Sequence, residues 1–496
     1  MTLTHILVFT ALAFLIGWLL PARWRTWALM GASLLAVYWL QPSTPIRYLD
    51  FWLPSASIFL TVFVWTATRS QTDERQQATL ITPLVVVGII VALGLTRYIE
   101  PLCCLTPTRP PDILRIGITI IGAGLAILAA RMLNGKWKYL PGFGISFILL
   151  LFIIIKSGPL AQNASAWLRT RSGQTADLAS ALDIPWLGFS YLAFRLLHIL
   201  RDHQAGKLPS YRLDEFITYT LFFSTFTAGP IDRSQHFVSD LRQLQEAAPV
   251  SAQRNLRSLF LNIDYPRVLL GGRRILLGIF KKFVLADSLA IFALNTQNAS
   301  QVNGSAWLWL MLYAYALRIY FDFCGYSDIA IGLGNLVGIK LPENFERPYL
   351  KVNLTTFWNS WHMTLAQWFR AYLFNPLTRA LRGRPQKLPA WFIILAGQII
   401  TMLLIGLWHG ITWNFAIWGL WHGLGLFIHN RWTAWSRTRM AARQSGISKR
   451  SNARLQIISQ TGGWFLTFHY VLLGWVWFAL PSPALAWEVF GKLLGI

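Results

Sequence analysis

Acidic residues are scarce in this 496-residue sequence: 20 Asp and Glu face 44 Lys and Arg, a formal charge of +24, and charged residues of both signs make up only 13% of the chain. So little charge, against 54% hydrophobic residues, excludes an ordinary soluble globular domain. Cysteine is rare too. Cys103, Cys104 and Cys324 form neither an even framework nor a metal-spaced pair, so neither a disulfide scaffold nor a zinc site has support. No Pro- or Ser-rich linker and no low-complexity tract divides the chain, which leads us to expect one continuous membrane domain over 1–496. Also missing is a basic, aromatic-interleaved domain standing apart from the greasy segments. Without one, the positive excess gives no reason to invoke nucleic acid.

What the chain has in quantity is apolar length. A helix of about 20 residues crosses a ~30 Å hydrocarbon core, and such runs fall near 4–20, 26–41, 51–68, 79–96, 113–131, 140–156, 183–200, 215–229, 267–294, 306–338, 390–408, 412–429 and 463–480. The expected fold is all-α and polytopic, with about 11–13 transmembrane helices plus re-entrant or amphipathic ones. The first run has no basic residue before it and is followed by Arg23 and Arg25, so it reads as an uncleaved span and not as a signal peptide. Segment 431–454 carries Arg431, Arg437, Arg439, Arg443, Lys449, Arg450 and Arg454 with no acid, which places it in the cytoplasm. The loop with Arg379, Arg382, Arg384 and Lys387 belongs on the same side.

Polarity is uneven along the chain. Residues 1–180 read as plain peripheral spans, 183–430 as the functional core, 431–461 as a basic cytoplasmic loop and 462–496 as a last span and tail. Polar groups at membrane depth are costly and usually face a cavity or one another, which directs attention to the core. In "FTAGPIDRSQH" (226–236), Gly229 and Pro230 are expected to stop a helix just before Asp232 and Arg233. In 318–346, Asp322 and Asp328 are six positions apart, about 120° off a common helical face. They therefore do not suggest a carboxylate pair for acid–base work. Structural pairing and ion coupling are the two readings, with Gly325, Gly332, Gly334 and Gly338 permitting close packing or a break. The third stretch, "FWNSWHMTLAQWFRAYLFNP" (357–376), is too polar to span and reads as an amphipathic or re-entrant helix.

The pentapeptide Gly-Leu-Trp-His-Gly occurs twice, at 406–410 and 419–423. In one unbroken helix, His409 and His422 would be about 19 Å apart along the axis and roughly 140° around it. They could not share a site. Gly410 to Asn414 weakens a helix, and basic segments flank 390–430, so a hairpin turning just after His409 is expected. The first arm climbs roughly 28 Å, which sets His409 at the far end from the cytoplasm. His422 falls within the returning arm, where the ordinary expectation is a buried histidine with a hydrogen-bond partner.

These residues resemble a known family. "FWNSWHMTLAQWFRAYLF" with His362, followed by "GLWHG" with His409, is similar to the two-histidine signature of membrane-bound O-acyltransferases. "AGPIDR" (228–233), "YFDFCGYSDIAIGLG" (320–334) and "PENFERPYL" (342–350) resemble its bacterial branch, whose members D-alanylate teichoic acids or O-acetylate alginate. The resemblance implies helices around a central passage, in a multi-pass protein of the bacterial inner membrane. An acyl group, D-alanyl or alternatively acetyl, would leave a cytoplasmic thioester and end on an outside hydroxyl of a cell-envelope glycopolymer or a small relay peptide. It also implies no bound cofactor, the donor being a phosphopantetheine thioester on an acyl carrier protein. His409 is expected to act as the base, kept neutral by burial. His362 is expected to orient the thioester or stabilise the oxyanion, with Asn359 assisting and Trp358, Trp361 and Ser360 on the donor side. The basic residues Arg254, Arg257, Arg267, Arg273, Arg274, Lys281 and Lys282 would suit an acidic carrier. Two rivals remain: an ion-coupled transporter using the aspartates, and a haem protein pairing His469 with His422 or His429.

Overall fold

A computed structural model describes residues 1–69, 81–99, 105–246, 264–443 and 449–495, with 440–443 and 449–455 described in backbone only. Cys103, Cys104, Arg254 and Arg257 lie outside the described residues. All regular structure among those residues is helical. Among the described residues, four helices are long and apolar enough to cross a bilayer: Leu49–Thr68, Ile81–Tyr98, Ile113–Leu133 and Ala390–His409. A fifth candidate, Leu140–Lys156 with Gly158–Arg171, bends by 95°. The remaining expected spans are shorter, more polar or broken. For example, the helix expected over 215–229 runs only Leu213–Leu221.

Contacts divide the chain into two compact units where sequence suggested one: 1–277 with 327–342, and 278–326 with 343–496. In the first unit, Leu49–Thr68 carries hydroxyls into an apolar setting by bonding them to its own carbonyls. Ser57, Thr61 and Thr68 donate to Leu53 O, Ser57 O and Val64 O at 3.1, 2.9 and 2.8 Å, so no polar hydrogen is stranded. Arg195, fully buried, explains why helix 213–221 ends early. Its guanidinium donates to Thr220 O at 2.7 Å, Thr225 O at 3.1 Å and Thr225 Oγ1 at 2.6 Å. The cation thus receives the carbonyls that a helix end leaves exposed. Just beyond, Asp232 pairs with His236 at 2.8 Å and accepts from the backbone N–H of Arg233 at 2.8 Å. Close packing of 327–337 on 265–277 depends on Gly332, where a Cβ would meet Gly271 O at 2.8 Å.

Both aspartates are ion-paired. Asp328 pairs with Arg274 at 2.6 Å in the first unit, and Asp322 pairs with Lys282 in the second. Arg267 is also committed, its Nε donating to Asn335 O at 2.6 Å. Of the basic stretch expected to suit a carrier, Arg267, Arg274, Lys281 and Lys282 thus make internal contacts. Segment 431–454 differs from expectation as well: helix 413–443 continues through its first half and helix 449–479 begins within it.

Candidate active site

Both histidines of the signature lie in the second unit. The expected hairpin is present: helix Ala390–His409 ends at Gly410, and helix Trp413–Arg443 starts three residues on. Between them, Thr412 N–H donates to Gly410 O at 2.9 Å and Ala416 N–H to Thr412 O at 3.1 Å. The doubled pentapeptide is explained by the contact between the arms. A Cβ on Gly406 would lie 2.2 Å from Phe415 O and 3.4 Å from Gly419 Cα, and one on Gly419 would lie 2.6 Å from Met402 O. The leading glycines of the two copies therefore face each other across an antiparallel pair, with backbone against backbone. His409, half-buried at the end of the first arm, is ringed by Trp408, Phe478 and Trp418 at centroid distances of 4.5, 4.7 and 5.7 Å.

His362 reaches the same neighbourhood by a different construction. The segment expected to be one amphipathic helix is broken in two, Leu354–Trp358 and Met363–Phe369. Asn353 caps the first piece, accepting from Thr356 N–H at 2.9 Å. At the break His362 takes a left-handed backbone, φ 44° and ψ 53°, a region that disfavours side chains. The preceding extended strand of chain holds it there: Glu346 N–H donates to Ser360 O at 3.0 Å and Met363 N–H to Asn344 O at 2.9 Å.

The Asn344 side chain completes the clamp. Its Oδ1 accepts from Thr364 N–H at 3.3 Å and from the Thr364 hydroxyl at 3.0 Å, and it faces His362 Nδ1 at 3.1 Å. A backbone N–H can only donate, so the atom in the middle is the oxygen, and Nδ1 of His362 must carry the proton. Nε2 is left with a lone pair; it is buried and has no hydrogen-bond partner. Burial pushes this imidazole down to about 3, so it is neutral across the physiological range. In this tautomer the neutral ring presents a lone pair and no N–H at Nε2. Phe323 packs against the ring at 4.6 Å and Trp408 at 6.1 Å. One indole, Trp408, is therefore in ring contact with both His362 and His409.

The other expected site residues disperse. Asn359 is exposed and accepts from Arg370, so it does not assist His362; Asn344 has that position. Trp361 stacks among Trp475, Phe345 and Tyr349 at 5.1, 5.2 and 5.6 Å, while Ser360 contributes its backbone to the clamp. Trp358 packs against His422 at 5.1 Å. His422 is buried, but neither ring nitrogen has a hydrogen-bond partner. The expectation of a paired histidine is not met among the described residues; the ring packs against Trp358 and Trp418 at 5.1 and 4.9 Å. His469 bonds to Tyr313 at 2.8 Å and faces Phe465 O at 2.9 Å, which occupies the nitrogens a haem would need. Cys324 is buried with Lys281 Nζ 3.5 Å from its sulfur, a neighbour the sequence did not reveal.

Apolar helices long enough to span define a multi-pass membrane protein, and two of its imidazoles meet at one indole in an aromatic setting. The family model of the membrane-bound O-acyltransferases matches residues 44–471, and the chain belongs to that family; it is an acyltransferase. It is 32% identical over 357 residues to the teichoic acid D-alanyltransferase of Streptococcus thermophilus, covering 70% of this chain and 76% of that one. It is also 32% identical over 380 residues to a probable alginate O-acetylase of Azotobacter vinelandii, covering 76% of this chain and 66% of the relative. With the peptidoglycan O-acetyltransferase of Helicobacter pylori it shares 32% identity over 289 residues, covering 58% of this chain and about half, 48%, of the relative.

Proposed function

We propose that this acyltransferase sits in a bacterial inner membrane and moves a D-alanyl group from a phosphopantetheine thioester on a cytoplasmic carrier protein to a hydroxyl of an extracytoplasmic envelope glycopolymer. The observation that carries the reading is the meeting of His362 and His409 at Trp408. In the transfer, the hydroxyl oxygen attacks the thioester carbonyl, the O–C bond forms and the C–S bond breaks. The hydroxyl proton passes to an imidazole and from there to the departing thiolate. A positioned base contributes roughly 10²–10⁴ in rate, and burial supplies the neutral ring that such a base requires.

Acidic carriers dock by charge. With Arg267, Arg274 and Lys282 engaged internally, the loop before the hairpin is the better landing site, since Arg382, Arg384 and Lys387 are exposed there. Acetyl transfer to an exopolysaccharide is the second reading, favoured by the likeness to the alginate O-acetylase. The ion-paired state of Asp322 and Asp328 weighs against ion-coupled transport. The test loads carrier protein with D-alanyl or acetyl phosphopantetheine and measures thiol release and acceptor esterification by the full-length protein in nanodiscs. D-alanyl consumption, lost by about two orders of magnitude in His362→Ala and His409→Ala with membrane insertion intact, supports the proposal. Turnover of the acetyl donor alone selects the second reading, and unaltered transfer in both variants refutes the site.

A further inference from the structure

The basic segment that follows the hairpin takes no part in acyl transfer as read above, yet it has a definite shape. Helix Trp413–Arg443 has 31 residues and so runs for about 46 Å, more than a ~30 Å hydrocarbon core needs. Its last turns stand in the polar layer on the side that the arginines assign to the cytoplasm. Between Glu346 and Glu488 the sequence has no Asp or Glu, so neither this helix nor helix 449–479 carries an acid to offset the charge.

One stripe of the helix faces away from the protein. Leu420, Leu424, Ile428, Trp432, Trp435 and Arg439 are all exposed, and steps of four, four, four, three and four residues set them on one helical face. The apolar part, Leu420 to Trp432, is about 18 Å long, close to the ~15 Å depth of one hydrocarbon leaflet. Trp432 and Trp435 come next, 62% and 46% exposed and paired at 4.9 Å; indoles favour the boundary between hydrocarbon and water. Arg439 lies four to seven residues beyond them, about 6–10 Å further along the axis, where a headgroup layer ~5–8 Å thick is met. Its guanidinium carbon sits 4.2 Å from the centroid of the Trp435 ring. A guanidinium stacked by its face keeps its in-plane N–H donors for a phosphate.

We infer that this stripe binds an anionic glycerophospholipid of the cytoplasmic leaflet, with acyl chains along Leu424 and Ile428, the glycerol at the indole pair and the phosphate on Arg439. The site is separate from acyl transfer and does not depend on which acyl group is moved. Inorganic phosphate has no chains to cover the apolar stripe, and a soluble acidic carrier cannot follow that stripe into the hydrocarbon. A phospholipid matches both ends at once.

Native mass spectrometry of the full-length protein in an uncharged detergent, titrated with phosphatidylglycerol or with phosphatidylcholine of the same chains, tests the assignment. Wild type should bind phosphatidylglycerol about 5-fold more tightly, the worth of one cation near a membrane surface. Arg439→Gln should abolish that preference, and Trp435→Leu, which keeps apolar bulk but removes the stacking platform, should lose most of it. Arg437→Gln removes the same charge about 160° around the helix and should leave the preference intact. Equal losses in Arg437→Gln and Arg439→Gln would reduce the effect to a diffuse positive field and overturn the site, as would the lack of any preference in wild type. In nanodiscs of phosphatidylcholine, KM for the loaded carrier should be unaltered in Arg439→Gln; a raised KM with lipid preference retained would give the surface to the carrier instead. Failure of wild type to turn over either thioester would sink the function reading and leave the lipid titration to decide this one.

Discussion

Substitution of Gly419 by alanine tests whether the hairpin contact sets the site. The new Cβ would sit 2.6 Å from Met402 O and 2.7 Å from Leu403 Cα. An ordinary C···O approach is ~3.3 Å, so the arms must part by about 0.7 Å. Both obstructing atoms are backbone and cannot rotate away as a side-chain tip would. Overpacking of this kind costs about 1–3 kcal/mol, enough to lower the melting temperature by a few degrees without unfolding the protein. The larger effect falls on rate. Separating the arms moves His409 and Trp408 relative to Trp418 and the clamped His362, and a shift near 1 Å in reacting geometry costs on the order of 100-fold. A 10–100-fold drop in kcat is therefore expected, with normal insertion. The control is Gly462→Ala on helix 449–479, where a Cβ meets nothing within 4 Å and helix propensity favours alanine by about 1 kcal/mol; it should keep full activity. Wild-type kcat in Gly419→Ala, measured by thiol release in nanodiscs, would refute the claim that this contact positions the imidazoles.

Three further outcomes follow. Asp328→Asn removes this carboxylate from Arg274 and should cost about 1–3 kcal/mol, lowering the melting temperature while kcat per folded molecule is kept; abolished transfer with an unchanged melting curve would favour a coupling role for this aspartate. Arg195→Lys keeps the charge but cannot reproduce a planar fork reaching Thr220 O and Thr225 O, so yield of monodisperse protein in fluorescence-detected gel filtration should fall sharply. The His236 imidazole is raised above 6.5 by hydrogen bonding to Asp232, so its stabilisation is fully present below pH 6.5 and is lost as pH rises through the higher folded value; half-exposed, it is worth no more than about 1 kcal/mol, and a melting-temperature slope above pH 6.5 that persists in His236→Gln would contradict the assignment.

What could be read from the sequence follows from the range of the interactions involved. The hairpin and its turn were legible because span length, flanking arginines and Gly410 are local signals. The ending of helix 213–221 was not, because the group that terminates it, Arg195, lies 25 residues from Thr220. The same holds for Asp322 and Asp328, whose cations are 40 and 54 residues away. In the site, the two motif histidines do come to one indole, but the side chain beside His362 is Asn344, not Asn359. Asn359 is three residues from His362 and looked like its partner in a continuous helix. The left-handed turn at His362 swings that face outward and brings in Asn344 from 18 positions upstream, which no helical periodicity indicates. The pairing of the repeated glycines was present in the sequence as a repeat, though only the antiparallel fold shows that the copies touch.

The left-handed backbone at position 362 also bears on laboratory evolution. A β-carbon in that region carries a standing penalty of the order of 1 kcal/mol or more, and glycine or asparagine would relieve it. Selection for heat resistance or expression alone should therefore enrich exchanges of His362, producing sturdier molecules that have given up chemistry, whereas selection on product should hold the histidine and collect its compensations in the 342–347 segment that clamps it.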